Sequence, residues 1–327
     1  MKQRNTLSVV IPVLNEADAM ALLLPQLAQQ LHRCRLEWEI VVVDDGGTDA
    51  LADVVHAFEH RHGHCNVQLL RLSRNFGKEA ALSAGLAAAR GEGVVCMDGD
   101  GQHPAAILPA LIAQWQAGND MVVATLASRE HESPLLAWTK RCFYAFLQSS
   151  ERFRIPPDAG DFRLLDRRVV NALLQLPERS RFMKGLFAWL GYRTATVKFE
   201  AAPRSAGRSK FRLRQLFGLA TLGITAFSLR PLRMVSGAGA LISLAAVAYG
   251  AYIAIETLVE GNHVSGWATL ASGMMLLSGI QLLCLGVIAE YLGRIYEEAK
   301  QRPLYLLDEV TDHSVIGAGA RGKQVHG

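Results

Sequence analysis

The chain has 327 residues, half of them hydrophobic, a formal net charge of +4 and a mean hydropathy of +0.16. That length holds one sizeable domain plus a smaller part, and the hydropathy is high for a purely soluble enzyme. The five cysteines (Cys34, Cys65, Cys96, Cys142, Cys284) are scattered and form no C-x-x-C pair, so they suggest neither a zinc site nor a disulfide framework and fit a reducing cytoplasm.

The first half alternates strands and helices. Leu7–Val13 is a short apolar run ended by Leu14, Asn15 and Glu16, too short and too soon broken for a signal peptide. A helix over Ala17–His32 follows, then a buried strand, Ile40–Val43, that stops at Asp44-Asp45-Gly46-Gly47. Leu51–His60 reads as helix, Val67–Leu72 as strand, Lys78–Ala89 as helix and Gly93–Met97 as strand. Pro104 opens a helix to about Gln116, and Met121–Thr125 is a further strand. This order predicts an α/β domain with a parallel sheet between helices, whose ligands bind beyond the carboxyl ends of the strands. The stretch from Ser128 to Glu200 is mixed, with a basic, aromatic helix at Leu135–Gln148 and a polar turn at Asp158-Ala159-Gly160-Asp161.

Charge and hydropathy then separate. Ala201 to Arg233 holds seven basic residues and no acidic one. Such a run attracts anions, or is simply a solvated face; here it abuts an apolar segment, which favours lipid, and no nucleic-acid partner is expected. Lys210–Leu229 reads as an amphipathic interfacial helix. Val235–Ile255 and Val264–Ala289 carry no charge except Glu256 just beyond the first, and each is long enough to span a bilayer. Basic residues before Met234 and at Arg294, Lys300 and Arg302 put both ends of this hairpin in the cytoplasm and the linker Glu260–His263 outside. The expected division is a catalytic domain over 1–209, the interfacial helix over 210–231, transmembrane helices near 234–258 and 265–289, and a cytoplasmic helix and tail over 293–327. The tail after Asp308, rich in Gly and His, is expected to be disordered.

Three polar clusters carry chemistry. Asp98-Gly99-Asp100, with Gln102 close behind, puts two carboxylates at a strand end, hard oxygen ligands suited to Mg²⁺ or Mn²⁺ on a diphosphate. Asp44-Asp45 follows a buried strand; a carboxylate there can accept from a base or ribose hydroxyl, while Thr48 or Asp49 is explained as the cap of the next helix. Lys78 opens a helix where it meets a phosphate, or else pairs with Glu79 or solvent.

Ile11-Pro12-Val13-Leu14-Asn15-Glu16, Val43 to Asp49, Arg74 to Glu79 and Asp98 to Pro104 resemble, in that order, the family-2 glycosyltransferases of GT-A fold. Gly160 to Arg167, Glu178 to Gly185 and Arg204 to Lys210 narrow the resemblance to the polyprenyl-phosphate glycosyltransferases, close to the bactoprenol glucosyltransferases and more distantly the dolichol-phosphate mannose synthases. The resemblance implies a GT-A nucleotide-diphospho-sugar transferase fold with a Rossmann-like mixed sheet. Pro12, Glu16, Asp44 and Asp45 would line the nucleoside pocket, with Lys78, Asp98 and Gly99 also on the donor. Asp98, Asp100 and Gln102 would surround a divalent metal. Arg129, Arg141, Arg204, Arg208, Ser209 and Lys210 would hold the acceptor phosphate, with Asp100 and Asp161 at the reaction centre. Gly101 and His103 stand where many members have Leu and Asp, and Gly47 where Ser is usual; His103 is expected to be an exposed loop histidine. The implied partners are a nucleotide sugar, a polyprenyl phosphate, the membrane and further copies of the chain.

A phosphate monoester acceptor is already anionic near neutral pH and needs little deprotonation. Asp161 is therefore better suited to orient Arg163 or the acceptor arginines than to act as base, and its plain alternative is a salt bridge to Arg163. A single displacement with inversion is expected. Glucose from UDP-glucose is the expected donor, with N-acetylglucosamine, galactose and mannose donors left open. A polysaccharide synthase lacks support because no tryptophan follows an arginine, and a nicotinamide enzyme because no G-x-G-x-x-G follows the first strand. A non-catalytic membrane scaffold is opposed by the intact Asp98/Asp100 pair.

Overall fold

The computed structural model describes residues 4–62, 66–126, 159–179, 181–199, 230–260, 266–314 and 316. They fall into two compact units, one of residues 1–216 with 302–327, the other of residues 217–301.

The first unit opens with β1 (Thr6–Val13), α1 (Ala17–Arg33), β2 (Glu37–Asp44), α2 (Leu51–His62), β3 (Val67–Leu72), α3 (Lys78–Ala88) and β4 (Gly93–Cys96). A 3₁₀ turn at Ala105–Ile107 leads into α4 (Leu108–Gln116) and β5 (Met121–Leu126). These agree with the sequence reading to within a few residues. Then come β6 (Ala159–Asp166), α5 (Arg167–Leu174), α6 (Met183–Trp189), β7 (Thr194–Phe199) and, after residue 301, β8 (Leu307–Asp312). The helix expected at Leu135–Gln148 and the amphipathic helix at Lys210–Leu229 lie outside the described residues.

All eight strands form one sheet in the order β7-β5-β6-β4-β1-β2-β3-β8. β1 is parallel to β2 and β4, and β2 to β3. These strands are buried along nearly their whole length, because helices cover both faces; hence their unbroken Val/Ile/Leu runs. Met20, Leu23, Leu24, Leu27 and Leu31 of α1 recur at helical spacing and supply one such cover.

The sheet is mixed, not parallel throughout. β6 runs antiparallel to β4 and β5, pairing Cys96 with Arg163. The residues Ala159 to Asp161, expected in a polar turn, are its first residues, held by pairing of Thr125 with Ala159. Antiparallel direction has a consequence for position: the start of β6 lies at the rim where β1, β2 and β4 end.

The tail after Asp308 is also corrected. β8 pairs antiparallel with β3, and beyond it Ser314 and Ile316 are buried. Composition hid this because β8 is an edge strand whose side chains are mostly exposed. Polar contacts fix it instead. Arg90 pairs with Asp312 at 2.5 Å, and Ser314 Oγ donates to the buried Glu39 carboxyl group at 2.5 Å. Glu39 also accepts from Ser8 Oγ at 2.6 Å, Arg90 N at 2.6 Å and Gln68 Nε2 at 2.8 Å.

The second unit holds α7 (Arg230–Glu260) and α8 (Trp267–Ala299). Met234–Ile253 and Leu276–Ala299 are long and apolar enough to cross a membrane, and neither window is buried. Leu241, Leu244, Leu276 and Leu282 each expose about two thirds or more of their surface. In water such a surface is unfavourable; in hydrocarbon it is solvated.

Candidate active site

The strand-end clusters converge. A cavity of about 270 Å³ is lined by Pro12, Glu16, Asp45, Lys78, Asp98, Gly99 and Asp100, with Leu14, Asn75 and Ala81 also in its wall.

The Asp44-Asp45 turn is built by backbone demands. Gly46 has φ +72°, and a side chain there would overlap the Arg74 backbone 2.4 Å away. The two carboxylates divide the work. Asp44 Oδ1 accepts from Gly47 N at 2.6 Å, and Oδ2 lies 3.6 Å from Arg71; Asp44 does not line the cavity. Asp45 faces the cavity and accepts from Phe76 N at 2.8 Å and Gly77 N at 2.9 Å, tying the loop after β3 to the end of β2. Burial pushes its pKa up, against the pull of those two N–H groups. Oδ2 keeps a lone pair for a further donor, whereas Oδ1 also accepts from Gly77 N at 3.3 Å. Asp49 caps a different helix from the one expected: Oδ2 accepts from Ala17 N, the first residue of α1, at 2.8 Å. Thr48 N donates to Asn15 Oδ1 at 2.8 Å, so the ends of β1 and β2 are stitched together.

Lys78, the first residue of α3, joins two acids from distant parts of the chain. Its Nζ lies 2.6 Å from Asp98 Oδ1 and 2.7 Å from Asp161 Oδ2, and it does not pair with Glu79. Burial works against the ammonium, but the two carboxylates outweigh it and raise its pKa. For Asp161, burial favours the neutral acid, yet Lys78, Lys184 and Arg163 hold the pKa down to about 2. A carboxylate that weakly basic is a poor proton acceptor. Arg163, on the same face of β6, donates to Gly160 O at 2.6 Å and stacks over the Phe187 ring, and the ion pair that Asp161 makes is with Lys78, not the alternative salt bridge to Arg163.

His103 is not an exposed loop residue. It stacks on Phe162 with ring centroids 4.6 Å apart, and its Nδ1 accepts from Asp98 N at 3.0 Å. Burial pushes its pKa down, so it is the neutral ring that anchors the Asp98 backbone. Sequence reasoning missed this because Phe162 arrives from β6, far along the chain. It also missed Glu79, whose pKa burial and the Asp161 charge push up to about 7.

Asp100 is held by Gln102, whose N and Nε2 donate to its two oxygens at 3.0 and 2.8 Å. Among the described residues no three His, Cys, Asp or Glu side chains gather around one point, so no all-protein metal cage is built from them. Two cavity-facing carboxylates one residue apart nevertheless fit a hard divalent cation that completes its shell with substrate phosphate oxygens. Asp98 and Asp100 would be its ligands. Gln102 turns its amide nitrogen to Asp100, which makes it a support for that carboxylate. Arg129, Arg141, Arg204, Arg208, Ser209 and Lys210 lie outside the described residues.

Residues 8–174 match the model of glycosyl transferase family 2, and residues 230–295 match the GtrB C-terminal hairpin. The chain belongs to glycosyl transferase family 2. It is an enzyme of GT-A fold whose C-terminal apolar hairpin associates with the membrane. An uncharacterized glycosyltransferase of Synechocystis sp. is 43% identical over 305 residues, covering 93% of this chain and 95% of that one. The bactoprenol glucosyl transferase of Shigella phage SfV is 40% identical over 301 residues, covering 92% and 97%. Among solved structures, residues 1–349 of S. aureus TarS in complex with UDP-GlcNAc align with TM-score 0.47 at 20% identity, covering 68% of this chain and 66% of that one.

Proposed function

We propose that this family-2 enzyme transfers a sugar, glucose from UDP-glucose, to a polyprenyl phosphate at the cytoplasmic membrane face. The observation that carries the reading is the meeting of three segments at one cavity: Asp98 and Asp100 after β4, Lys78 at the start of α3, and Asp161 brought to the same rim by antiparallel β6. The names of the relatives supply the glucosyl donor and the bactoprenol acceptor.

In this reading Pro12, Glu16 and Asp45 receive the nucleoside, with Asp44 bracing the turn. Asp98 and Asp100 would hold Mg²⁺ or Mn²⁺, which would supply positive charge against the leaving diphosphate. Lys78 meets the diphosphate. The basic residues Arg129, Arg141, Arg204, Arg208, Ser209 and Lys210 take the acceptor phosphate. An acceptor phosphate oxygen forms the new bond to the anomeric carbon while the bond to the diphosphate breaks on the opposite side. Configuration inverts and the nucleoside diphosphate departs with the electron pair. No strong base is required, which suits an Asp161 held at low pKa. Residues 1–209 form the catalytic domain, 210–231 an interfacial helix and 232–292 the membrane hairpin, with 293–327 and both termini cytoplasmic. Copies of the chain associate through the C-terminal region.

The test is a donor screen. Purified protein with undecaprenyl phosphate, Mn²⁺ and a panel of nucleotide sugars should form one lipid-linked hexose, detected by mass, from UDP-glucose. Chelator should abolish it, and Asp100→Asn should lower the rate at least about a hundredfold with the fold retained. A folded protein that neither forms product nor binds UDP would sink the reading.

A further inference from the structure

Glu178 to Gly185 is part of the family resemblance, yet nothing in the proposed chemistry uses it. It is nevertheless tied firmly to the catalytic rim. Arg181 is buried and donates to Ser83 Oγ of α3 at 3.1 Å, and to Leu176 O and Glu178 O at 3.0 and 3.2 Å. The backbone of Met183, where α6 starts, hydrogen-bonds the Glu79 carboxyl group on the first turn of α3. α6 is thus clamped to the helix that carries Lys78.

Its direction against β6 can be read from two contacts. The Arg163 guanidinium carbon lies 4.0 Å over the Phe187 ring. Asp161 and Arg163 share a face of β6, and Lys184 and Phe187 share a face of α6. Met183 meets Glu79 next to the Lys78–Asp161 pair, and Phe187 meets Arg163 further along, so α6 runs away from the rim alongside β6 and Lys184, one turn before Phe187, lies toward the Asp161 end. The electrostatics agree: the Lys184 charge favours the ionised forms of both Asp161 and Glu79.

Asp161 has room for a second cation. Lys78 takes Oδ2, while Oδ1 is buried without a hydrogen-bond partner among the described residues. A buried carboxylate is costly unless paired. If Lys78 leaves for an incoming diphosphate, Asp161 loses its closest counter-charge beside Glu79, another acid.

We propose that Lys184 is a positioning residue of the reaction centre, taking over as counter-ion of Asp161 when the donor diphosphate draws Lys78 away. Asp161 then stays ionised and fixed through turnover, and Lys78 is free to serve the donor. This rests on the transferase reading above.

The experiment is a double-mutant cycle of Lys184→Met and Asp161→Asn, with Lys184→Arg and Lys78→Met alongside, each read by steady-state kinetics and by melting temperature. Lys184→Met should lower kcat at least about tenfold while the KM for the nucleotide sugar stays within about twofold, and Lys184→Arg should recover most of the loss. Lys78→Met should instead weaken UDP binding. In the Asp161→Asn background Lys184→Met should have little further effect on kcat. With UDP and Mn²⁺ bound, the melting temperatures of the cycle should be non-additive by at least about 2 °C, and less so without nucleotide. Additive melting temperatures in the bound state, or an Arg variant no better than Met, would overturn the proposal. Wild-type protein that makes no lipid-linked sugar sinks the transferase reading separately, and the melting-temperature arm still decides the role of Lys184.

Discussion

Lys78 shows how one side chain can organise a site. A single ammonium joins Asp98, just after β4, to Asp161 on β6, and beside that pair it is Glu79 whose pKa rises. Burial and the Asp161 charge push Glu79 up to about 7, so the folded protein keeps a proton that the unfolded chain has lost above its ordinary pKa near 4.5. More protons on the folded form means that stability falls as pH rises through the window from about 4.5 to 7. Lys78, Lys184 and the Met183 N–H oppose this, and the net effect is on the order of 3 kcal/mol. Glu79→Gln keeps an acceptor for Met183 N and removes the charge. Thermal melts should show it more stable than wild type at pH 8 and equal near pH 4.5; a parallel loss at both pH values would show that Glu79 is needed as a carboxylate. The sequence made the individual strand-end acids legible, because a polar pair after a buried apolar run has no packing explanation. It did not make their partners legible. Lys78 and Asp161 are 83 residues apart, and only the direction of β6 brings them together.

At the scale of elements, hydrophobic pattern was a sufficient guide wherever burial was two-sided. β1 to β5 and α1 to α4 were readable because each carries an apolar run or stripe against a helix or strand neighbour. β7 and β8 were not, since their exposed and part-buried residues carry no such signal and backbone pairing holds them. β8 is secured by the Glu39 group, where one buried acid accepts from β1, β3, the end of α3 and the segment after β8. Ser314→Ala removes one donor from a buried acid and should cost about 1–3 kcal/mol in chemical denaturation. Val310→Ala, on a residue 52% exposed in the same strand, should cost less than about 0.5 kcal/mol. Equal costs would mean that β8 is held by side-chain packing and not by its polar anchor.

For the whole molecule, the position of β8 bears on topology. The apolar helices α7 and α8 lie between β7 and β8 in the sequence, yet β7 and β8 belong to one sheet. A chain that leaves that sheet, traverses two membrane-length helices and rejoins the sheet must cross the bilayer an even number of times. This argument is independent of the positive-inside count over Arg294, Lys300 and Arg302, and it says only that both flanks of the hairpin share one side. α8, at 33 residues, is about 50 Å long, well beyond the hydrocarbon thickness of about 30 Å. Glu290 and Arg294 in its C-terminal half pair at 3.0 Å. In a background with the native cysteines replaced, Asn262→Cys should react with a membrane-impermeant maleimide added outside intact cells. Glu298→Cys should react only after the cells are opened. Labelling of both from outside would put the end of α8, and through the pairing of β8 with β3 the sheet as well, outside, against the cytoplasmic placement proposed above. Labelling of neither from outside would mean that the hairpin enters and leaves the bilayer without crossing it.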